Sequence, residues 1–304
     1  MAHFLWTQKQ DIGPPGRHGV AMAFDATRRR VVLFGGRTNS AEMMNDTWEW
    51  DGNVWVQAAD AGPPARCLHA LAYDSRRERT VLYGGSGGMG SSTDLLGDTW
   101  EWDGNEWTQM ADTGPAVRSN HAVAFDTKRR RIVLFGGSSG IIPLGDTWVW
   151  DGTEWTQEQD SGPNIRDNHR MVYDIARDRI VLFGGLANYP VRDFVNDTWE
   201  YDGTRWVHVA DTGPPPRSGH GMIYDGAKVL LFGGADSGSS FGDTWEWDGT
   251  HWRELQNMGP APRAFFGMAH DGVRKHTTLY GGQNNNNQYL GDTWEWYDHP
   301  TPST

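Results

Sequence analysis

One cysteine, Cys67, stands in 304 residues, so no internal disulfide can staple the fold. No stretch approaches 18 apolar residues, and no membrane-spanning helix is expected. Residues 1–10 lack a charged segment followed by an apolar core, so no secretory signal is read there and a cytoplasmic setting is expected. Positive charge is in deficit: the formal net charge is −12, which argues against nucleic acid as the main partner. No segment carries helical apolar periodicity over a useful length, so an all-β chain is expected. Pro/Ser-rich linkers are also missing, and residues 1–304 read as one domain.

Tryptophan and glycine are abundant instead, with 17 and 39 copies, and both recur in register. Asp-Thr-Trp occurs six times, beginning at Asp46, Asp98, Asp146, Asp197, Asp243 and Asp292, with spacings of 52, 48, 51, 46 and 49 residues. A period near fifty across a whole chain marks a repeat architecture. Each unit opens with Gly-Pro-x-x-Arg, ending at Arg17, Arg66, Arg118, Arg166, Arg217 and Arg263. An apolar run then leads into a Gly-Gly pair, as in Val31-Val32-Leu33-Phe34-Gly35-Gly36. In the first five units an Asp-Gly such as Asp103-Gly104 follows the aromatic strand, and a Trp sits three residues beyond it. Asp-Gly between aromatic-rich runs is a hairpin signal, because tight hairpin turns need positive φ.

These marks cut each unit into four short strands, and six such units predict a six-bladed β-propeller. Small residues (Ala21, Ala70, Ala122, Gly221, Gly267) gather in strand one and tryptophans in strands three and four. A wedge that is crowded at the axis and broad at the rim requires that distribution. The last unit lacks a fourth strand, while Trp6-Thr7-Gln8 matches Trp107-Thr108-Gln109. Residues 4–9 are therefore expected to complete blade six and close the ring, which removes open sheet edges.

The combination of Arg-x-x-His, an apolar strand into Gly-Gly, then Asp, an aromatic and a spaced Trp resembles the kelch repeat over residues 4–297. It is most similar to bacterial stand-alone kelch propellers. The resemblance implies a binding scaffold that works at one mouth of the central channel, where the two-three loops and the residues after each repeat Arg converge. Some kelch-type enzymes use copper, or iron held by an acid-acid-His triplet. No such triplet occurs in the loops, so no metal or other cofactor is expected. A monomer is the expected state.

The constant Arg and Asp of each unit are expected to pair and to tie blades together. Function is sought where the repeat varies. One residue after the Arg the units read His18, Cys67, Ser119, Asp167, Ser218 and Ala264; two after, Gly19, Leu68, Asn120, Asn168, Gly219 and Phe265. Three after, they read Val20, His69, His121, His169, His220 and Phe266. The four histidines are expected to hydrogen-bond the neighbouring blade; zinc would need them at about 2.0–2.1 Å from one point. Phe265 and Phe266 with Val20 suggest an apolar side. In blade four Asp167, Asn168, His169 and Arg170 form the most polar cluster. The two-three loops are 37–45, 86–97, 138–145, 186–196, 235–242 and 283–291. They add Arg37, Glu42, Met89, Asp94, Tyr189, Arg192, Asp193 and Phe194 as candidates.

Three functions fit this pattern. The first is a binding module for a peptide, protein or small molecule at the mouth, contacted by His18, Arg37, Cys67, His69, Ser119, Asn120, His121, Asn168, Tyr189, Arg192, Ser218, His220, Phe265 and Phe266. The second is a cofactor-independent isomerase, epimerase, mutarotase or cyclase, with Asp167, His169 and Arg170 as acid, base and anion clamp; kelch-like sialic acid mutarotases supply the resemblance. The third is a structural protein that docks an acidic partner on the strand one-two turns, where 15 of the 27 Lys and Arg residues lie, Arg28–Arg30 and Lys128–Arg131 among them.

Overall fold

A computed structural model describes residues 3–9, 12–88, 94–158, 161–256 and 259–299. Six antiparallel four-stranded sheets form the blades of a ring. Blade one comprises Ala21–Asp25, Arg30–Phe34, Thr47–Trp50 and Trp55–Ala59. The innermost strands of blades two to five are Ala70–Asp74, Ala122–Asp126, Arg170–Asp174 and Gly221–Tyr224. Blade six contains Gly267–Asp271, His276–Tyr280 and Thr293–His299, and the strand His3–Gln8 completes it. Trp6 lies opposite Trp296 there, as Trp55 lies opposite Trp50 in blade one. Closure by the N-terminal strand is thus as the matching Trp-Thr-Gln motifs predict. Among the described residues no helix is long and apolar enough to cross a membrane.

Strand two of each blade is buried on both faces: Val31 to Phe34, Val133 to Phe135 and Val181 to Phe183 have no exposed surface. That double burial is why these strands read as continuous apolar runs and not as alternating ones.

The Asp-Thr-Trp signature resolves into three jobs. The Asp accepts two hydrogen bonds from the repeat Arg, as Asp98 does from Arg66 at 2.6 and 2.8 Å. The Trp returns its indole N–H to the same carboxylate, as Trp100 does to Asp98 at 2.7 Å. The Thr accepts from the strand-four Trp of the next blade: Trp107 to Thr47 at 2.8 Å and Trp206 to Thr147 at 3.0 Å. At the closure Trp6 donates to Thr244 and Trp55 to Thr293.

The Arg and Asp partners belong to the same unit, Arg17 with Asp46 and Arg66 with Asp98. The expectation that they tie blades together is corrected: they clamp each blade's incoming connection onto its own third strand. The ties between blades run through the Trp–Thr bonds and through the Arg backbone, whose carbonyl accepts from the preceding blade, as in Gly36 N–H to Arg66 O at 2.8 Å.

On the opposite face, arginines of the basic one-two turns pair with carboxylates of their own blade. Arg28 bonds Asp25 and Glu49, Arg77 bonds Asp74 and Glu101, and Arg177 bonds Asp174 and Glu200. Each of these arginines also lies over the Asp-Gly turn of the next blade. A Cβ on Gly104, at φ +100, would sit 2.4 Å from Arg28. Glycine is required there by the neighbour as well as by the turn. Part of the basic clustering is thus explained by contacts within the scaffold, and Lys128, Arg129, Arg131, Lys228 and Arg274 also pair with acidic side chains.

Candidate functional site

The mouth is built from the residues after each repeat Arg. The first of them pairs with the residue following Gly-Gly in the same blade: His18 with Arg37, Cys67 with Ser86, Ser119 with Ser138, Asp167 with Leu186 and Ser218 with Ala235. This pairing buries Cys67, Ser119, Asp167 and Ser218. Variation at this position adjusts packing under the loops more than it presents side chains to solvent.

The second residue forms a closed collar. Leu68 N–H donates to Gly19 O at 2.7 Å, Asn120 to Leu68 at 2.9 Å, and Asn168 to Asn120 at 2.9 Å. Gly219 then donates to Asn168 at 3.0 Å, Phe265 to Gly219 at 2.8 Å, and Gly19 to Phe265 at 2.8 Å. All six residues have φ between 57° and 65°. Gly and Asn tolerate that left-handed conformation, whereas Leu68 and Phe265 adopt it under constraint.

Below the collar lies a tier of imidazoles. His69, His121, His169 and His220 are buried, each edge-on to the aromatic ring of the preceding blade at 5.4–5.5 Å (Phe34, Tyr83, Phe135 and Phe183). Their ring nitrogens have no partner in hydrogen-bonding geometry, although the nearby backbone of Phe34, Tyr83 and Phe135 favours the charged forms of His69, His121 and His169 slightly. Each imidazole meets the neighbouring blade chiefly through this aromatic contact, where the sequence predicts a hydrogen bond. Phe266 makes the same contact with Phe232 at 5.7 Å, which explains how Phe substitutes for His in blade six. Burial, then the nearby Arg66, push His69 down to about 3. His121 and His169 are likewise held well below the usual imidazole range, by burial first and by neighbouring cations second. These groups are neutral at pH 7.

Blade four does not assemble an acid, a base and a clamp. Asp167 turns to the two-three loop and accepts from Arg192 at 2.8 and 3.1 Å and from Asn168 at 2.6 Å. Burial raises its carboxyl despite Arg192. His169 packs on Phe135, and Arg170 points into the central channel, where no carboxylate lies within ion-pair distance among the described residues. Residues adjacent in sequence are sent in three directions by the left-handed turn at Asn168 and the strand that follows it. Asp167 instead anchors the loop that carries Tyr189 and Val191.

Two parts of the rim keep substantial surface. On the seam of blades one and six, His18 stacks on Tyr289 at 4.1 Å and stands edge-on to Phe265 at 6.3 Å. Arg37 is close enough to lower His18 and forms no ion pair among the described residues, and its Nε is buried without a partner. Burial raises the Cys67 thiol to about 11 against the opposing charge of Arg37, and His69 makes no hydrogen bond to it. The pair is unsuited to nucleophilic chemistry. On blades three and four, Ile141, Ile142, Ile165, Tyr189 and Val191 are exposed, and Ile165 and Tyr189 line an open groove with Pro143 and Asn164. Ile141, Ile142, Ile165, Val191 and Tyr289 escaped the sequence reading. Ile165 precedes a repeat Arg, and Ile141-Ile142 is an apolar pair in a two-three loop; those were the available signals. Met89 lies outside the described residues.

A family model described as the KLHDC2/KLHL20/DRC7 Kelch-repeats domain matches residues 3–162 and 151–298. No match to a curated protein was found. The two matched spans cover nearly all of the chain, in keeping with its six-bladed ring. The chain belongs to the kelch-repeat family.

Proposed function

We propose that this propeller is a binding module for an extended segment of a partner protein, held across the rim of the mouth over blades three and four. The open groove lined by the exposed Ile165 and Tyr189 carries the reading, and the exposed Ile141, Ile142 and Val191 belong to the loops that supply its Pro143, Asn188 and Tyr189. Exposed apolar side chains gathered at a groove mark an interaction site. It sits on the face where the loops differ between blades, and the Asp167–Arg192 pair holds one of those loops in place. Arg37 on blade one offers a cation to a backbone carbonyl or an acidic side chain of the same segment. Asp167, His169 and Arg170 each have a different neighbour, Arg192, Phe135 and the central channel, and the binding reading does not call on them as an acid, a base and a clamp.

The test is selection of random peptides on the wild-type protein. The expected outcome is a family of apolar peptides whose affinity drops at least tenfold on Tyr189→Ala combined with Ile165→Ser. Arg170→Ala should leave it unchanged. Peptides that bind the double variant equally well, or no enriched family at all, would overturn the reading.

A further inference from the structure

Arg170 begins the innermost strand of blade four, at a position held by Ala21, Ala70, Ala122, Gly221 and Gly267 in the other blades. Its guanidinium makes one long hydrogen bond, to the carbonyl of His169 at 3.4 Å, and no ion pair among the described residues. What surface it keeps faces the channel, and burial among the blades pushes it down to about 10, so it remains cationic at neutral pH. It is near enough to lower the imidazoles of His121, His169 and His220.

The channel around it forms a cavity of about 100 Å³ that touches all six blades. One water needs about 10–15 Å³ on this measure, so the space admits a molecule of several heavy atoms. His69 and His121 line it, each with ring nitrogens that lack a hydrogen-bond partner. Beside this polar level stands an apolar one made by Met22, Leu71, Val123, Met171, Met222 and Met268. The collar amides donate to one another around the ring, so they do not supply donors to the channel. A buried charge without a partner is costly, and a planar guanidinium matches a carboxylate in bidentate geometry. There is one cation and the imidazoles are neutral, so a single negative charge balances the site. The methionines accept a short hydrocarbon tail.

We propose that the central channel is a binding site for a short-chain monocarboxylate, its carboxylate on Arg170 and the His121 side of the channel and its alkyl end on the methionine level. This site is separate from the rim that holds the partner segment.

Thermal unfolding of the full chain with sodium propionate, sodium chloride or sodium sulfate at matched ionic strength tests it. Propionate should raise the melting temperature of the wild type, and chloride and sulfate should not. Arg170→Ala, which restores the residue found in blades one to three, should abolish the propionate response. Without added propionate it should melt above the wild type. Arg170→Met keeps the side-chain bulk and serves as the second variant; it should behave like Arg170→Ala. A propionate response retained in both variants, or absent from the wild type, would overturn the proposal. Equal responses to all three salts that vanish in both variants would overturn the carboxylate assignment in favour of an inorganic anion.

Discussion

Tyr201 of blade four shares a buried cluster with Val149 of blade three, at a seam where other blades place a tryptophan and a glutamate. At four other seams Trp102 donates to Glu49 at 3.0 Å, Trp50 to Glu295 at 3.0 Å, and Trp150 to Glu101 and Trp247 to Glu200 at 3.3 Å. Donor and acceptor have departed from the repeat together. Arg129, which lacks the Glu partner its counterparts have, keeps the bond to the turn Asp126 and pairs with Asp178 in place of the Glu.

The two changes are therefore expected to be coupled. Tyr201→Trp alone buries an indole N–H without its acceptor, and Val149→Glu alone buries a carboxylate that lacks its indole donor and has to draw Arg129 away from Asp178. Each should cost about 1–3 kcal/mol. The double variant should recover most of that loss. A denaturant double-mutant cycle reads the coupling, and simple additivity would show that the seams are energetically independent.

The imidazole tier predicts how stability depends on pH. The folded pKa values of His69, His121, His169 and His220 lie below the unfolded value of about 6.5. The unfolded chain thus binds protons that the folded chain refuses, and stability should be full above about pH 6.5 and fall as pH drops below it. Each histidine can steepen the decline by up to about 1.4 kcal/mol per pH unit. The repeat carboxylates act later. Burial would raise Asp98, Asp146 and Asp197, but their arginines outweigh it and lower them, so their contribution is lost only below about pH 4. His121→Phe, which copies the residue blade six carries at Phe266, should flatten the upper part of a melting-temperature profile taken from pH 4 to 8 and leave the lower part intact.

The repeat arginine is a buried cation with a carboxylate partner and Arg170 is a half-buried one without, so removing the partner and removing the cation should have opposite effects. Asp98→Ala strands Arg66 and takes away the acceptor of Trp100. A loss of about 3–5 kcal/mol is expected, the usual result of breaking a buried pair. Urea unfolding of Asp98→Ala beside Arg170→Ala gives the comparison; a loss under 1 kcal/mol for Asp98→Ala would mean that the clamp is dispensable.

Cys67 should resist alkylation. Its thiol is buried and raised to about 11, so little thiolate exists at pH 8. Iodoacetamide labelling of the native protein should proceed far more slowly than labelling in urea. Equal rates would mean that the mouth opens around it.

The sequence announced the ring because Asp, Thr and Trp each serve a contact that recurs in every blade, so selection of one geometry leaves six copies of one motif. The clamp's address was harder to read. Arg66 and Asp98 are equally constant whether they pair within a unit or between units, and repetition cannot tell the two apart. Blade four defeated sequence reasoning for a different reason. Asp167 and Arg170 are three residues apart, yet a left-handed residue and the start of a strand separate their side chains, and the true partner of Asp167 is Arg192 in a loop of irregular length. The exposed apolar rim was invisible because apolar residues are read as core unless burial is known.

The amide collar makes height along the axis a shared property. Six donors and six acceptors follow one another around the axis and return to their start. A slip of one inner strand along the axis would pull its amide away from one neighbour and its carbonyl from the other, so no blade can move without disturbing two. The innermost residues thereby act as a spirit level: all six blades are held at one depth by backbone groups, and the tryptophans at the rim meet their partners on that common plane.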